Sequence, residues 1–299
     1  MNVWENIKLT FKKGDALIKL IYVNVAVFVL LKAVVIVLRL FNMQAGFILH
    51  WFAVPADLPQ LLHRVWTPIS YMFLHDGFFH LFFNMLCLYW FGKIFLSVYS
   101  SRHLVGLYFV GGLVAALFYV AAYNIFPYFA DKIPYSILLG ASGSIMAIVV
   151  ASAFKLPNME VRLLLFGGVK LKYIAIVAVL VSFFGITSDN AGGEFAHLGG
   201  ALSGYLFVAL LNKGTDITAW VNRLADWVVN IFRPNPLKVK KGKKTKNNSS
   251  YHKMTDEEYN MNKANSMAEI DRILDKIKAS GYDSLTADEK RKLFEQGKK

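Results

Sequence analysis

Charge and cysteine are what this chain has least of. Only 18% of its 299 residues are charged, against about 25% in an ordinary soluble domain. The shortage lies in the first two-thirds of the chain, where apolar runs follow one another, and the acids and bases crowd into the last third. That distribution excludes a water-soluble globule for the first part and predicts a polytopic membrane protein with a soluble tail. One cysteine, Cys87, excludes an internal disulfide. There is no H-E-x-x-H and no carboxylate inside an expected span. Intramembrane metal chemistry through His75, His80 and His197 is therefore the weaker alternative, and neither a metal nor a cofactor is expected. No cleavable signal peptide is expected either, because the N-terminus is mixed and charged up to Lys19; the first span serves as its own insertion signal.

Basic residues are the surplus, with a formal net charge of +13. Much of the tail's excess sits in KVKKGKKTK, Lys238 to Lys246, just after the apolar region ends. A basic run in that place reads as attraction to anionic lipid, so no nucleic-acid partner is expected.

Six apolar segments are long enough to cross a bilayer as helices, near Ala16–Leu40, Phe79–Val98, Val105–Ile125, Ser136–Phe154, Tyr173–Thr187 and Phe195–Leu211. Lys32 lies well inside the first, so its ammonium must snorkel or face protein. Lys8, Lys12 and Lys13 precede the first span and Lys19 lies in its first turn, and Lys155, Arg162, Lys170 and Lys172 lie between the fourth and fifth. The alternate loops are richer in Asp. By the positive-inside rule both termini are cytoplasmic, and an even number of spans agrees. The expected organisation is a cytoplasmic N-terminus (1–15), a six-helix membrane domain (16–212) and a cytoplasmic tail (213–299). The outer loop from Phe41 to Phe78 is long and apolar and carries Trp51 and Trp66, which suits a structure lying in the headgroup layer.

Two polar residues stand where lipid would not tolerate them. Ser142 lies in GASGSIMAIVVASAF and His197 in FAHLGGALSGYLFVALL. An unpaired polar group in hydrocarbon costs several kcal/mol, roughly. If the fourth span is helical from Ser136, Ser142 lies about 9 Å deep, and His197 about 5–8 Å deep on the sixth. Ala196, Gly200 and Gly204 make a small-residue face beside His197, and Gly140, Gly143 and Ala147 offer its counterpart. Such faces let backbones approach closely. A hydroxyl and a neutral imidazole within reach make a nucleophile and its base. His80 and Asn84, four apart in the second span, share one helical face at the same shallow depth. Their N–H groups, with the backbone N–H of Ser142, are candidate donors to an oxyanion. Glu194, three residues before His197, is expected to solvate the loop and complement the helix start rather than complete a triad.

With H-x-x-x-N in the second span (His80, Asn84), G-x-S-G in the fourth (Gly140, Ser142, Gly143) and A-H-x-x-G in the sixth (Ala196, His197, Gly200), the chain resembles the rhomboid family of intramembrane serine proteases. The resemblance covers roughly Leu61 to Asn212. It implies Ser142 as nucleophile, His197 as base, and His80, Asn84 and the Ser142 amide as the oxyanion hole. It implies membrane-anchored protein substrates cut near the outer leaflet, no cofactor, and a fifth span with the Ser188–Glu194 cap gating substrate entry. Two positions depart from the family's usual pattern: Met146 replaces an aromatic four residues after the serine, and Trp66-Thr67 stands for a Trp-Arg pair. Met146 is expected to pack near the site. A rhomboid-like protein that binds membrane clients without cutting them is the alternative, although such proteins usually lack the Ser or the His. A transporter is disfavoured, since only Lys32 offers charge at mid-depth. The expected location is a bacterial inner (plasma) membrane.

In the tail, Trp220, Leu224, Trp227 and Val228 line one face of an amphipathic helix suited to the bilayer interface. A flexible basic linker, Lys238 to Ser250, is expected to follow. Capping boxes at Ser266/Glu269 and Thr286/Glu289, with Gly281 between, predict a helical hairpin that docks on a protein partner or on the inner surface of the core.

Overall fold

The structure, a computed structural model, describes residues 16–163, 167–232 and 256–296. The expected basic linker at 238–250 and the N-terminal segment 1–15 lie outside the described residues. The chain divides into two compact units, Met1–Pro234 and Asn235–Lys299.

Among the described residues, four helices of the first unit are long and apolar enough to cross a membrane. They are α1 (Ala16–Leu40), α5 (Phe78–Leu96), α6 (Ser101–Ile125) and α9 (Ala191–Leu211). Two shorter apolar helices, α7 (Ser142–Lys155) and α8 (Leu171–Phe184), complete the set. Helix is the form these runs take because each backbone N–H and C=O then finds its partner within the segment. A β-hairpin, β3 (Glu160–Leu163) with β4 (Gly167–Lys170), joins α7 to α8.

Helices α6, α7 and α9 form the centre, and small residues set their spacing. A Cβ on Gly200 would collide with the carbonyl oxygen of Gly143, and one on Gly204 with that of Ala147. The predicted meeting of the two small faces is thus observed. Helix α6 joins them through Gly111, where a Cβ would lie 2.6 Å from Ala147 Cβ. Contact at this range gives dispersion and backbone packing in a medium where no hydrophobic effect draws helices together.

Helix α1 buries Leu17, Leu20 and Asn24 and packs Ile21 and Phe28 against the core, while much of its remaining surface is exposed and apolar. Asn24 Nδ2 bonds the Tyr108 hydroxyl at 3.2 Å. Lys32 faces protein: its ammonium donates to the carbonyl oxygen of Asp76.

The segment between α1 and α5 folds as a compact structure of short helices, α2 (Phe47–Phe52), α3 (Leu58–His63) and α4 (Thr67–Ser70), with the short strand β1 (Val54–Pro55). Trp51 and Trp66 stack at 5.9 Å, and Trp66 Nε1 donates to the Trp51 carbonyl at 2.9 Å. Arg64 supplies the cation that Thr67 does not, lying over the Trp51 ring at 5.3 Å and donating to the His50 carbonyl.

The fourth predicted segment needs correction. It is not helical from Ser136. Residues Ile137–Leu138 form β2, which pairs antiparallel with β1, and Gly140 takes φ +121° before the helix begins at Ser142. Ser142 therefore opens its helix instead of lying two turns inside it. Hydropathy does not separate an apolar strand from an apolar helix, and the Gly was the signal of the break.

Helix α10 (Ala219–Phe232) packs on α6 within the first unit: Thr218 fills the space over Gly106, and Arg102 pairs with Asp226 at 3.3 Å. Trp220, Leu224, Trp227 and Val228 stay exposed on its apolar face.

In the second unit α11 runs unbroken from Asp256 to Ser280, so Ser266 is mid-helix and does not cap a start there. The Thr286/Glu289 box does form: Glu289 accepts from the Thr286 amide at 2.8 Å, and α12 (Ala287–Gln296) follows. Lys276–Glu289 and Lys292–Glu269 pairs tie α11 to α12.

Candidate active site

The glycine break that moves Ser142 to the start of α7 also shapes its surroundings. At N1 the residue's amide is among the N–H groups that lack an intrahelical partner, at the positive end of the helix dipole. Helix α9 brings His197 to the same place through the Gly200–Gly143 contact one turn further on.

Two cavities meet here. One, of about 480 Å³, is polar and is lined by Asp76, Tyr123, Asp189 and Asn190 among others. The second, of about 490 Å³, is apolar and lies between α5 and α8, lined by Phe79, Phe83, Phe91, Met146, Val149, Ile174 and Ala178. Four residues line both: His80, Asn84, Ser142 and His197. A polar chamber suits water, and an apolar cleft between two helices suits a hydrophobic chain. Met146 lines the apolar one, on the helical turn after Ser142.

Hydrogen bonds hold His80, Asn84 and His197. His80 donates Nδ1–H to Asp76 Oδ1 at 2.8 Å, four residues earlier. Its Nε2 faces the bare Cα of Gly140, where a Cβ would lie 2.9 Å from Nε2 and 3.9 Å from Ser142 Oγ. With Nδ1–H given to Asp76, a donor role for Nε2 requires a proton on both ring nitrogens. Burial draws the Asp76 carboxyl upward, but the hydrogen bond and charge of His80, with the Gly77 amide, outweigh it and hold Asp76 below the usual carboxylate range. Asn84 Nδ2 donates to the His80 carbonyl at 2.8 Å, which leaves it one further N–H.

His197 Nδ1 has two partners, Ser182 Oγ at 3.1 Å and Glu194 Oε2 at 3.3 Å. Glu194 is thus not merely loop solvation: its side chain is 15% exposed, and Asn190 Nδ2 donates to its Oε1 at 3.3 Å. Asp76, Ser182 and Glu194 are the members of the site that sequence reasoning did not assign. The D-x-x-x-H and E-x-x-H spacings were the available signals for two of them. Ser182 comes from another helix and left none. Among the described residues, no group of three or more His, Cys, Asp and Glu is placed to hold a metal ion.

Gly140 makes a sharp prediction. Alanine there would strain a backbone at φ +121° and press its methyl on His80 Nε2, and strain of this kind costs on the order of 1–3 kcal/mol. Gly140→Ala is expected to lower the activity of the site by at least tenfold, whereas Gly46→Ala, with open space around it, leaves it unchanged; parallel activity assays of the two variants check this.

His75 lies edge-on to His80 with ring centroids 5.0 Å apart. Burial, then the nearness of His80, pushes its pKa down to about 4 from the ordinary 6.5. The unfolded chain therefore binds a proton that the folded one refuses between those values. This contribution to stability is full above about pH 6.5 and is lost as pH falls toward 4. His75→Phe is expected to flatten that part of the dependence, read as unfolding temperature in detergent from pH 7 to pH 4.

Comparison with known proteins matches residues 62–214 to the Rhomboid domain and residues 253–299 to a family of unknown function, DUF6576. Among similar proteins is RHOMBOID-like protein 12, mitochondrial, of Arabidopsis thaliana, 27% identical over 71% of this chain and 62% of that protein. Rhomboid protein 1, mitochondrial, of Saccharomyces cerevisiae is 27% identical over 50% of this chain and 42% of its own length. Rhomboid-like protein 16, chloroplastic, of Arabidopsis thaliana is 25% identical over half of each chain. The chain thus spans between 42% and 62% of the length of these relatives.

Proposed function

This multi-pass membrane protein belongs to the rhomboid family, and from that premise we propose that it is an intramembrane serine endopeptidase in which Ser142 and His197 form the catalytic dyad. Members of the family are in general serine intramembrane proteases, and some are inactive. The observation that carries the proposal is the wall shared by the two cavities: the residues lining both the polar and the apolar chamber are Ser142, His197, His80 and Asn84. A membrane-anchored substrate reaches the site through the apolar cleft between α5 and α8, and water through the polar one. All six apolar helices are proposed to span, α7 being shortened because the strand β2 takes up the start of its segment.

The reaction follows from the chemistry of these groups. Nε2 of neutral His197 takes the Ser142 proton while Oγ attacks the peptide carbonyl carbon. The carbonyl oxygen gains the negative charge and receives hydrogen bonds from the Ser142 amide, Asn84 Nδ2 and His80 Nε2. His197 returns its proton to the leaving nitrogen as the C–N bond breaks. Water from the polar cavity, deprotonated by His197, then frees the acyl group and restores Ser142.

The lysine-rich side of the membrane holds both chain ends in this proposal, which is the cytoplasmic side of a bacterial plasma membrane. The exposed apolar face of α10 lies in that interface. The second unit, matched to a family without known function, is proposed to bind a protein partner.

The test is a single-span reporter reconstituted with the full chain in liposomes. The expected result is two fragments whose new ends map within or beside the reporter's apolar segment. Retention of uncleaved reporter, with no fragments, would overturn the protease reading and favour client binding.

A further inference from the structure

We propose that Glu194 is a positioning residue for His197, with Ser182 as a bridging hydroxyl; this rests on reading Ser142 and His197 as the nucleophile and base of the dyad. A carboxylate only accepts hydrogen bonds. Glu194 Oε2, 3.3 Å from Nδ1, therefore requires the ring proton on Nδ1. A neutral imidazole has one such proton, which leaves Nε2 with the lone pair that must face Ser142. Ser182 Oγ accepts from the same nitrogen at 3.1 Å and bonds to the Glu194 carboxylate as well. The three groups make a closed set: Nδ1–H is shared between hydroxyl oxygen and carboxylate, and the Ser182 proton goes to Glu194.

The carboxylate is itself fixed. Asn190 holds its other oxygen, and its stem lies over Gly185, where a Cβ would come within 2.9 Å of Glu194 Cγ. Ser182 is 2% exposed. An acid in the first turn of a helix complements the dipole wherever its side chain points. That simpler role requires neither the contact with Nδ1 nor a buried hydroxyl from a neighbouring helix. In the reaction the carboxylate stabilises the imidazolium formed when Ser142 loses its proton, the part an acid plays in soluble triads. Because Ser182 belongs to α8 and the other two to α9, the base is correctly oriented only while α8 is docked.

The test uses the full chain in liposomes with the reporter, comparing wild type, Glu194→Gln, Glu194→Asp and Ser182→Ala. Glu194→Gln is expected to lower kcat about 10²-fold, less than the roughly 10⁴ of the corresponding change in a soluble triad, with KM within twofold. Glu194→Asp should recover at least a tenth of the activity, and Ser182→Ala should lose about fivefold, the weight of one neutral hydrogen bond. The ¹⁵N spectrum of histidine-labelled protein, with His197 assigned from its loss in His197→Ala, should show the Nδ1–H tautomer in wild type and a mixture in Glu194→Gln. Unchanged kcat in Glu194→Gln overturns the proposal. So does a loss of kcat with the tautomer unchanged, because the acid would then serve the fold alone. If Ser142→Ala still cleaves, the underlying dyad fails instead.

Discussion

Ser142→Ala is expected to reduce reporter cleavage by about 10⁶-fold, to the level of liposomes without enzyme, while the protein stays folded. The magnitude is that of removing the nucleophile from a soluble serine hydrolase, where the covalent path disappears at once. Stability should hardly change. Ser142 sits at the first position of α7 facing the cavities rather than packed among its neighbours, and its side chain caps nothing. A methyl in place of the hydroxymethyl leaves the Gly143–Gly200 contact intact. Activity and unfolding temperature measured on the same preparation separate loss of chemistry from loss of fold. Residual cleavage above about 10⁻³ of wild type would mean that another group attacks the peptide.

Gly200→Leu should fail differently, losing both activity and stability. The first carbon added at Gly200 would already overlap the Gly143 carbonyl oxygen, with the Gly143 Cα 3.3 Å away. Both obstacles are backbone, so no rotamer change relieves them. Overpacking a core costs about 1–3 kcal/mol and more where nothing yields. Here the yielding element is the α7–α9 spacing that brings Ser142 and His197 to one wall. Separation by even 1 Å displaces base from nucleophile, for which losses near 10²-fold are ordinary. The expected result is at least a 10²-fold fall in cleavage with an unfolding temperature lowered by several degrees. Gly204→Leu, one turn further from the site and against the Ala147 carbonyl, should cost similar stability but less activity.

Much of this is legible in the sequence. The first helix ends at Leu40, where the apolar run ends, because a bilayer forces length and hydrophobicity to agree. The small-residue faces were readable because close backbone approach admits few residue types. The start of α7 was not. Ser136 to Leu139 is as apolar as a helix would be, and pairing with the distant Val54–Pro55 decides its form. At the candidate site, four polar residues in apolar runs stood out against their surroundings. Asp76 and Glu194 did not, since acids at a membrane boundary are ordinary, and it is the fold that sets the distances of 2.8 and 3.3 Å to their histidines. Ser182 in VSFFG resembles any serine in a span. The Ser266 box was overridden by a helix that continues through it, its far end held to α12 by ion pairs.

The central claim is that Ser142 is a nucleophile activated by His197. A fluorophosphonate reacts with such a serine and forms a covalent phosphonyl ester, releasing fluoride. Mass spectrometry of the peptide carrying GASGSIM after treatment of the reconstituted full chain tests this directly. The expected result is one adduct, located on Ser142 in wild type and absent from His197→Ala. Labelling that persists at the wild-type rate in His197→Ala, or an adduct confined to another serine, would contradict the account.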